Sequence, residues 1–351
     1  MTATTRATEF DRLDADDEPT VTDWLDMVVA AAETDTTDAA PPCAIDLVGS
    51  LRFAPPDTEL EDWVVRADGR VVASVRLAFP DGAPVARVDQ LLVRPDRRRQ
   101  GIGTSLYRHA LARAAARGRT ELMTTLVESL PDRSDVDPGP GVFATALGAS
   151  RGTGTPGIHQ WLDLTQHDPL AGGVPEPAAG YRLESWGTTT PDRFVLPVSA
   201  LEASLGADTD EADDADAIRA SFVRRFETMR IGRGRRAYQT GVVHEASGRL
   251  VGFTSISKTT GNPGHALQGM TVVHRDHRGH RLGMVAKLAN LAHLLHHEPA
   301  VRRLETANAA DNSAMLAVNA AMGFRHTVRW FTWRAAVDQP SAQSTGSAAS
   351  P

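Results

Sequence analysis

The sequence predicts an α/β (α+β) protein built from two tandem copies of one module, each a mixed central sheet flanked by helices. The first observation behind this is an order of elements that occurs twice: hairpin, strand, glycine-containing loop, helix, strand, helix, strand. The second is alignment. Setting Val93 against Val273 brings Asp96 opposite Asp276, Arg98 opposite Arg278 and Gly103 opposite Gly283 without a gap, as duplicated units require. The third is length, since 351 residues exceed the roughly 100–200 expected of one domain.

The elements follow from local pattern. In the first half DWVVRADGRVVASVRL places two β-rich runs around an Asp-Gly turn, an antiparallel hairpin. VARVDQLLV is a third strand, and RPDRRRQGIG leads from it into the helical run TSLYRHALARAAARG, which stops at a glycine. ELMTTLVE reads as a strand, GVFATALG as a short segment and IHQWLDL as a last strand. The second half repeats the series with RRAYQTGVVHEASGRLVGFTSIS as hairpin, ALQGMTVV as strand and HRDHRGHRLG as loop. MVAKLANLAHLLHH then reads as a helix, RRLETAN as a strand, NSAMLAVNAAMGF as a helix and HTVRWFTWRA as the closing strand.

Stretches rich in Pro, Gly, Ser and short polar residues divide the chain. They predict a flexible N-terminus over 1–17, an N-terminal domain over 18–165, a linker over 166–179, a C-terminal domain over 180–336 and a disordered tail over 337–351. An acidic run from Asp208 to Asp216 reads as a solvated loop leading into a helix, with attraction of a cationic amine as the alternative.

Composition excludes several classes. With 41% hydrophobic and 23% charged residues the chain is not disordered throughout, and no apolar run approaches the ~20 residues that span a bilayer. The acidic N-terminus suits neither a secretion signal nor an Arg-rich transit sequence, so a cytoplasmic location is expected. One cysteine, Cys43, excludes an internal disulfide framework and any multi-cysteine zinc site. A net charge of -7 argues against a nucleic-acid partner, and no aromatics interleave the arginines at 94 and 97–99. His274, His277 and His280 are spaced by threes, but without further ligands or an HExxH motif no metal is expected.

The loop at 97–103 is the most informative stretch. Arg98, Gly101 and Gly103 lie between a β-branched strand and a helix start, where unpaired amides, a partial positive charge and close main-chain approach suit an anion. A solvated basic turn is the alternative. GxxxxGK[ST] is missing, GIGTSL lacks the third glycine of the dinucleotide fingerprint, and a hairpin rather than a βαβ unit comes first.

Arg98-Arg99-Gln100-Gly101-Ile102-Gly103, following VDQLLV and RPD, resembles the R-x-x-G-x-G loop of the GCN5-related N-acetyltransferases (GNAT). The endings ALGA at 146–149 and AMGF at 321–324 resemble that family's closing motif. The resemblance covers roughly residues 20–165 and 180–335, and the tandem layout is like that of mycothiol synthase-like proteins. It implies two tandem GNAT-type acyltransferase domains. It further implies that loop amides hold the pyrophosphate of acetyl-CoA, as co-substrate, at Arg98, Arg99, Gln100, Gly101, Ile102, Gly103 and Thr104. The second set is Arg278, Gly279, His280, Arg281, Leu282, Gly283 and Met284. The pantetheine arm would pair beside Leu91, Leu92 and Val93, and beside Thr271, Val272 and Val273.

Departures from the family pattern are specific. Arg281 takes the place of the first loop glycine, so its side chain must point away. The tyrosine usual four residues before the closing glycine is replaced by Ala144 and Asn319. Asn308 and Asn312 are expected near the cofactor, with capping as their alternative role. Candidate catalytic residues are Asp89, where the family often has an acid but whose counterpart is Gly269, and Glu305, His274 and Asn319 in the second half. Prolines at 131, 138 and 140 interrupt the first half, so the second half is expected to be catalytic. The resulting expectation is acetyl transfer to a small-molecule amine by direct attack in a ternary complex, by a monomer (pseudo-dimer) or homodimer. A catalytically silent acyl-CoA or ligand-binding module is the alternative, and a different thioester or aminoacyl donor a third reading.

Overall fold

The computed structural model describes residues 9–35, 40–134, 136–204 and 215–338. The first half runs β1 (Phe10–Arg12), α1 (Glu18–Asp35), α2 (Ala44–Arg52), β2 (Thr58–Ala67), β3 (Arg70–Pro80), β4 (Val85–Val93), α3 (Ile102–Ala116), β5 (Glu121–Glu128), α4 (Gly139–Ala146), β6 (Ser150–Arg151) and β7 (Gly157–Asp163). The second runs β8 (Tyr181–Trp186), α5 (Asp192–Ala203), α6 (Ala215–Gly232), β9 (Arg235–His244), β10 (Leu250–Thr259) and β11 (His265–Val273). It continues through α7 (Leu282–His297), β12 (Arg303–Ala309), α8 (Ser313–Ala321) and β13 (Arg325–Ala336).

Local chemistry accounts for the boundaries. Asp68 and Gly69 both take positive φ, the conformation of a two-residue hairpin turn matched to strand twist. Asn312 caps α8 by accepting from the Met315 amide at 3.1 Å. Both closing motifs are helix C-caps of one kind. Gly148 and Gly323 have φ of 84° and 91°, and the amides of Ala149 and Phe324 reach back to the carbonyls of Ala144 and Asn319.

The two halves share one 13-stranded sheet in the order β1-β2-β3-β4-β5-β13-β7-β12-β11-β10-β9-β8, with β6 paired to β13. Two pairs are parallel, β4 with β5 and β11 with β12, so the sheet is mixed. Each half's closing strand sits in the other half's place. β13 pairs with β5 through Arg329 to Ala336, while β7 pairs with β12 along its whole length. Hydrophobic periodicity encodes a strand but not its partner, so the exchange is invisible in the sequence.

Two expectations at the chain ends need correction. Phe10, Asp11 and Arg12, assigned to a flexible N-terminus, form β1 against Val65, Val64 and Trp63, because Phe10 packs on the core beside His109. Val337, assigned to the tail, is buried in that core and its amide bonds Thr120 O at 3.0 Å. The tail from 339 onward lies outside the described residues, as does the acidic run at 208–214.

Helices cover both faces in each half. In the first, Trp24, Met27 and Val28 of α1 pack on Val64 and Val71, while Leu106, Ala110 and Ala114 of α3 pack on the other face against Val65 and Val72. In the second, Phe194, Val198 and Leu201 of α5 cover Val243, Phe253 and Val272, and Leu288, Leu291 and Leu294 of α7 meet Ile256, Ala266 and Leu304. Burial of each such large side chain contributes ~1.5–3 kcal/mol before entropy.

Candidate active site

In each half the parallel strands part. β4 meets β5 only at 85–88 against 121–124, and β11 meets β12 only at 265–267 against 303–305. Bulges between Arg76 and Leu77 and between Thr254 and Ile256 bend the adjoining strands there, as an inserted residue does. Residues 89–93 and 268–273 therefore present a main-chain edge without a β partner on that side.

The helices that follow open toward these edges. The first helical amide bonds are Ser105 N to Gly101 O and Val285 N to Arg281 O, leaving the amides of Ile102, Gly103 and Thr104, and of Leu282, Gly283 and Met284, without a helical acceptor. Both loops use one backbone. Arg99 and Gly101 have φ of 61° and 83°, and Gly279 and Arg281 have 86° and 58°, so glycine and arginine trade places. Arg281 adopts the left-handed conformation at a cost of ~1–3 kcal/mol, with its side chain exposed. An anion on those amides would offset that strain.

The loops differ in what surrounds them. In the first, Arg98 donates to both carboxylate oxygens of Asp35, at 2.7 and 2.8 Å, and to Val93 O. The Phe143 ring lies against Gly103, 3.4 Å from where a Cβ would stand. In the second, Arg278 keeps the equivalent bond to Val273 O, at 3.1 Å, and meets no carboxylate among the described residues. A Cβ on Gly283 would touch only methyls of Thr271 and Val273, at 3.8 Å. Tyr181 and His277 share a 2.9 Å hydrogen bond beside His280 and His244. Burial lowers the His277 pKa, and the neighbouring histidines lower it further.

The candidate residues take up distinct surroundings. Asp89 accepts from Arg87 at 3.1 Å on its own strand. Its counterpart Gly269 lies close to Ser255, whose Oγ stands 2.7 Å from where a Cβ would be and would have to turn aside for a side chain there. Glu305 lies opposite Leu267, where β11 and β12 part, and faces His159 of β7 at 3.5 Å. His274 is half-buried at the strand end of the loop, 3.7 Å from Asp276. Asn319 is fully buried. Its Oδ1 accepts from Lys287 at 2.5 Å, and its Nδ2 donates to Gln160 and Asn308 at 2.7 and 2.8 Å. Burial lowers the Lys287 pKa to about 7, and its Nζ sits 5.2 Å from the Phe324 ring centroid.

On the opposite face of the second half, a cavity of about 350 Å³ lies between α5, α6 and β9–β11. Gly269, Met270, Ser255 and Gln239 form its sheet wall, Phe222 and Phe226 an apolar wall, and Glu202 and Arg230 contribute charge. By register Ser255 corresponds to Arg76 and Gln239 to Asp62. In the first half that volume holds an ion pair, Arg76 to Asp62 at 2.6 Å, with Ser50 of α2 at 2.6 Å.

The sequence reading does not single out Lys287, Glu202 or Arg230, although Lys287 and Arg230 each left a signal. Lys287 shares a helical stripe with Gly283, Leu291 and Leu294, an inward face where a lysine is out of place. Val223, Glu227 and Arg230 are spaced four and three apart on α6, again the inward face.

A family model described as Acetyltransferase (GNAT) family matches residues 25–133. A tandem GNAT protein from the clavulanic acid biosynthesis pathway, solved without AcCoA, is 59% identical with a TM-score of 0.90, over 95% of this chain and 99% of that one. A GCN5-related N-acetyltransferase from Sphaerobacter thermophilus, 16% identical, has a TM-score of 0.65 over 95% of this chain and 96% of its own. That degree of likeness speaks for the fold alone. No curated protein matches. Among the described residues no helix is long and apolar enough to cross a membrane. Parted strands, open helix starts, duplicated loops and a full-length relative at 59% identity agree: the chain belongs to the GCN5-related N-acetyltransferase family, in its tandem form.

Proposed function

We propose that the chain is an acetyl-CoA-dependent N-acetyltransferase that passes an acetyl group to a small-molecule amine by direct attack in a ternary complex, with the C-terminal half catalytic. One observation carries this reading. In that half the unpaired amides of α7, the unpaired edge of β11 and a free cavity on the other face of the same strand meet within a few residues.

The residues fit the coenzyme. The amides of Leu282, Gly283 and Met284, with the loop main chain from Arg278 to Arg281, suit a diphosphate, and Arg278 adds charge-assisted donors. Thr271, Val272 and Val273 offer main-chain groups to an extended arm. When bound, acetyl-CoA supplies the acetyl thioester, and a strand amide aimed at its carbonyl would stabilise the developing oxyanion. The chain must also take a proton. An alkyl amine is neutral about one part in a thousand at pH 7, or roughly 4 kcal/mol, so a base is needed. We assign Glu305, because it stands where β11 and β12 part and has His159 at 3.5 Å to receive or share the proton. An acid at Asn319 is dispensable, since a thiol of pKa about 8.5 is a good leaving group near pH 8.

The relative's place in clavulanic acid biosynthesis supports a small-molecule acceptor. The single free thiol, Cys43, suits a cytoplasmic enzyme. The Arg98–Asp35 pair, Phe143 against Gly103 and Arg76 in the acceptor volume favour a binding or supporting role for the N-terminal half. The test is calorimetric titration of the full chain with acetyl-CoA together with thiol release in the presence of amines. Gly283→Glu puts a carboxylate at the amides of α7 and should abolish turnover and remove a binding event, whereas Gly103→Glu should leave turnover within about threefold. Unchanged affinity and turnover in Gly283→Glu would refute the assignment.

A further inference from the structure

We infer that the cavity beneath α5 and α6 binds an acceptor that carries a carboxylate as well as its amine, Arg230 taking the carboxylate and Glu202 the ammonium group. This rests on the C-terminal half being the catalytic one and adds the chemical class of what it acetylates.

Three features of the cavity lead there. Its volume of about 350 Å³ lies at the small end of ligand sites, the scale of a metabolite rather than a protein side chain delivered on a backbone. Its charges are opposite and unmatched. Glu202 of α5 and Arg230 of α6 both line it and attract one another, yet their side chains make no hydrogen bond or ion pair within 4.0 Å with each other or with any described residue. Glu227 also attracts Arg230, more strongly than Glu202 does, but it makes no direct bond to it, because its oxygens already accept from the Thr190 amide and from Arg224, both at 2.7 Å. Two sheltered charges held apart across a void stay partly desolvated without compensation unless something of complementary charge bridges them. Burial accordingly raises the Glu202 pKa and lowers that of Arg230. A zwitterion satisfies both at once, and an amine lacking the carboxylate leaves Arg230 bare.

The third feature is location. Gly269 and Met270 form part of the wall and belong to the segment of β11 whose edge is unpaired, so a ligand in the cavity abuts the strand proposed to carry the thioester. Phe222 and Phe226, with ring centroids 5.5 Å apart, and Val198 and Val223 call for an apolar portion in the same ligand. The first half has lost this space to Arg76 and Asp62.

The experiment measures thiol release from acetyl-CoA by the full chain with leucine, phenylalanine and ornithine, each compared with its own carboxamide. At least a tenfold higher kcat/KM for the free acids is expected in the wild type, falling below twofold in Arg230→Met and partly retained in Arg230→Lys. Ser255→Arg with Gln239→Asp rebuilds the ion pair of the first half inside the cavity, and should abolish turnover of every acceptor while acetyl-CoA affinity by titration stays within threefold. Equal rates for acids and carboxamides, turnover of carboxamides alone, no turnover of any free acid, or full activity in the filled-cavity variant would each overturn the inference. Failure of acetyl-CoA to bind at α7 would instead sink the functional reading beneath it, and the titration reports that separately.

Discussion

Lys287 offers a quantitative test of how this half is built, through Lys287→Met. The amine is 1% exposed, hydrogen-bonded to Asn319, and its pKa falls from 10.5 to about 7 because burial penalises its charged form. The folded pKa lies below the unfolded one, so between about 7 and 10.5 the unfolded chain binds more protons and stability rises with pH. At pH 7 the full cost of the shift weighs on the fold; at pH 9 the folded amine is neutral and only the unfolded chain is protonated. Integration over that interval gives the wild type a gain of about 2 kcal/mol from this group alone. Lys287→Met has no such group, so the wild-type minus variant difference in unfolding free energy, from urea titrations at pH 7 and pH 9, should change by about 2 kcal/mol in favour of the wild type at pH 9. Loss of the donor to Asn319 offsets any stability the variant gains by ~1–3 kcal/mol, at both pH values alike. A difference independent of pH would mean that the ammonium is solvated or paired, and would refute the buried neutral amine.

Other consequences can be measured with equal directness. Glu61 is raised by burial but lowered further by hydrogen bonds from Arg113, Trp63 and Arg117, to a pKa of about 2. Its contribution is therefore whole above pH 4.5 and lost as pH falls toward 2, and Glu61→Gln should flatten the acid limb of a thermal-melting profile between pH 5 and 3; an unaltered limb counts against the cluster. Gly157→Val should destabilise by ~3 kcal/mol or more in chemical denaturation, since a Cβ there would stand 1.9 Å from the Trp330 ring across the β7–β13 pair. A fragment ending at residue 165 removes β13 from β5 and both neighbours from β7, and should lack a cooperative melt by circular dichroism; a sharp transition would mean that the first half closes without the exchanged strand.

The two loops and their helix starts were legible because a phosphate-type loop is a local device: residues 98–104 and 278–284 are contiguous, and their backbone follows from glycine, arginine and the strand before them. Asn312 as a helix cap was legible for the same reason, with donor and acceptor three residues apart. What lies between elements was not. Gln160 reaches Asn319 across 159 residues because β7 was exchanged, and His159 meets Glu305 by the same route. Of the helices preceding each hairpin, the sequence announced only a helix after the acidic run, without its extent or its inward face. α6 joins Arg224, Arg225 and Arg230 to apolar inward positions, and in a stretch so rich in charge the helical period is hard to see. Glu202 and Arg230 then face one another only because α5 and α6 pack together, which no spacing within either helix announces.

The divergence of the two halves follows a physical rule visible at one bulge. In the first, Asp89 projects from β4 and Arg76 from β3, and the arginine is held by Asp62 and Ser50. In the second the same positions are Gly269 and Ser255, and the two are coupled. With Ser255 Oγ 2.7 Å from where a Cβ would stand, no side chain fits at 269 while the serine keeps its place. Converting one arrangement to the other therefore needs both positions to change, with Gln239 exchanged for Asp62 to leave no arginine unpaired. An arginine at 255 alone would bury an unmatched charge, and a side chain at 269 alone would require the Ser255 hydroxyl to turn aside. The small pair opens the cavity at the expense of an acid on the strand. A carboxylate drawn from elsewhere, Glu305 on β12 or Glu202 on α5, then takes the place of that acid, and Glu305→Gln against Glu202→Gln in the thiol-release assay separates them: loss of kcat with KM kept marks the base, loss through KM marks the binding partner.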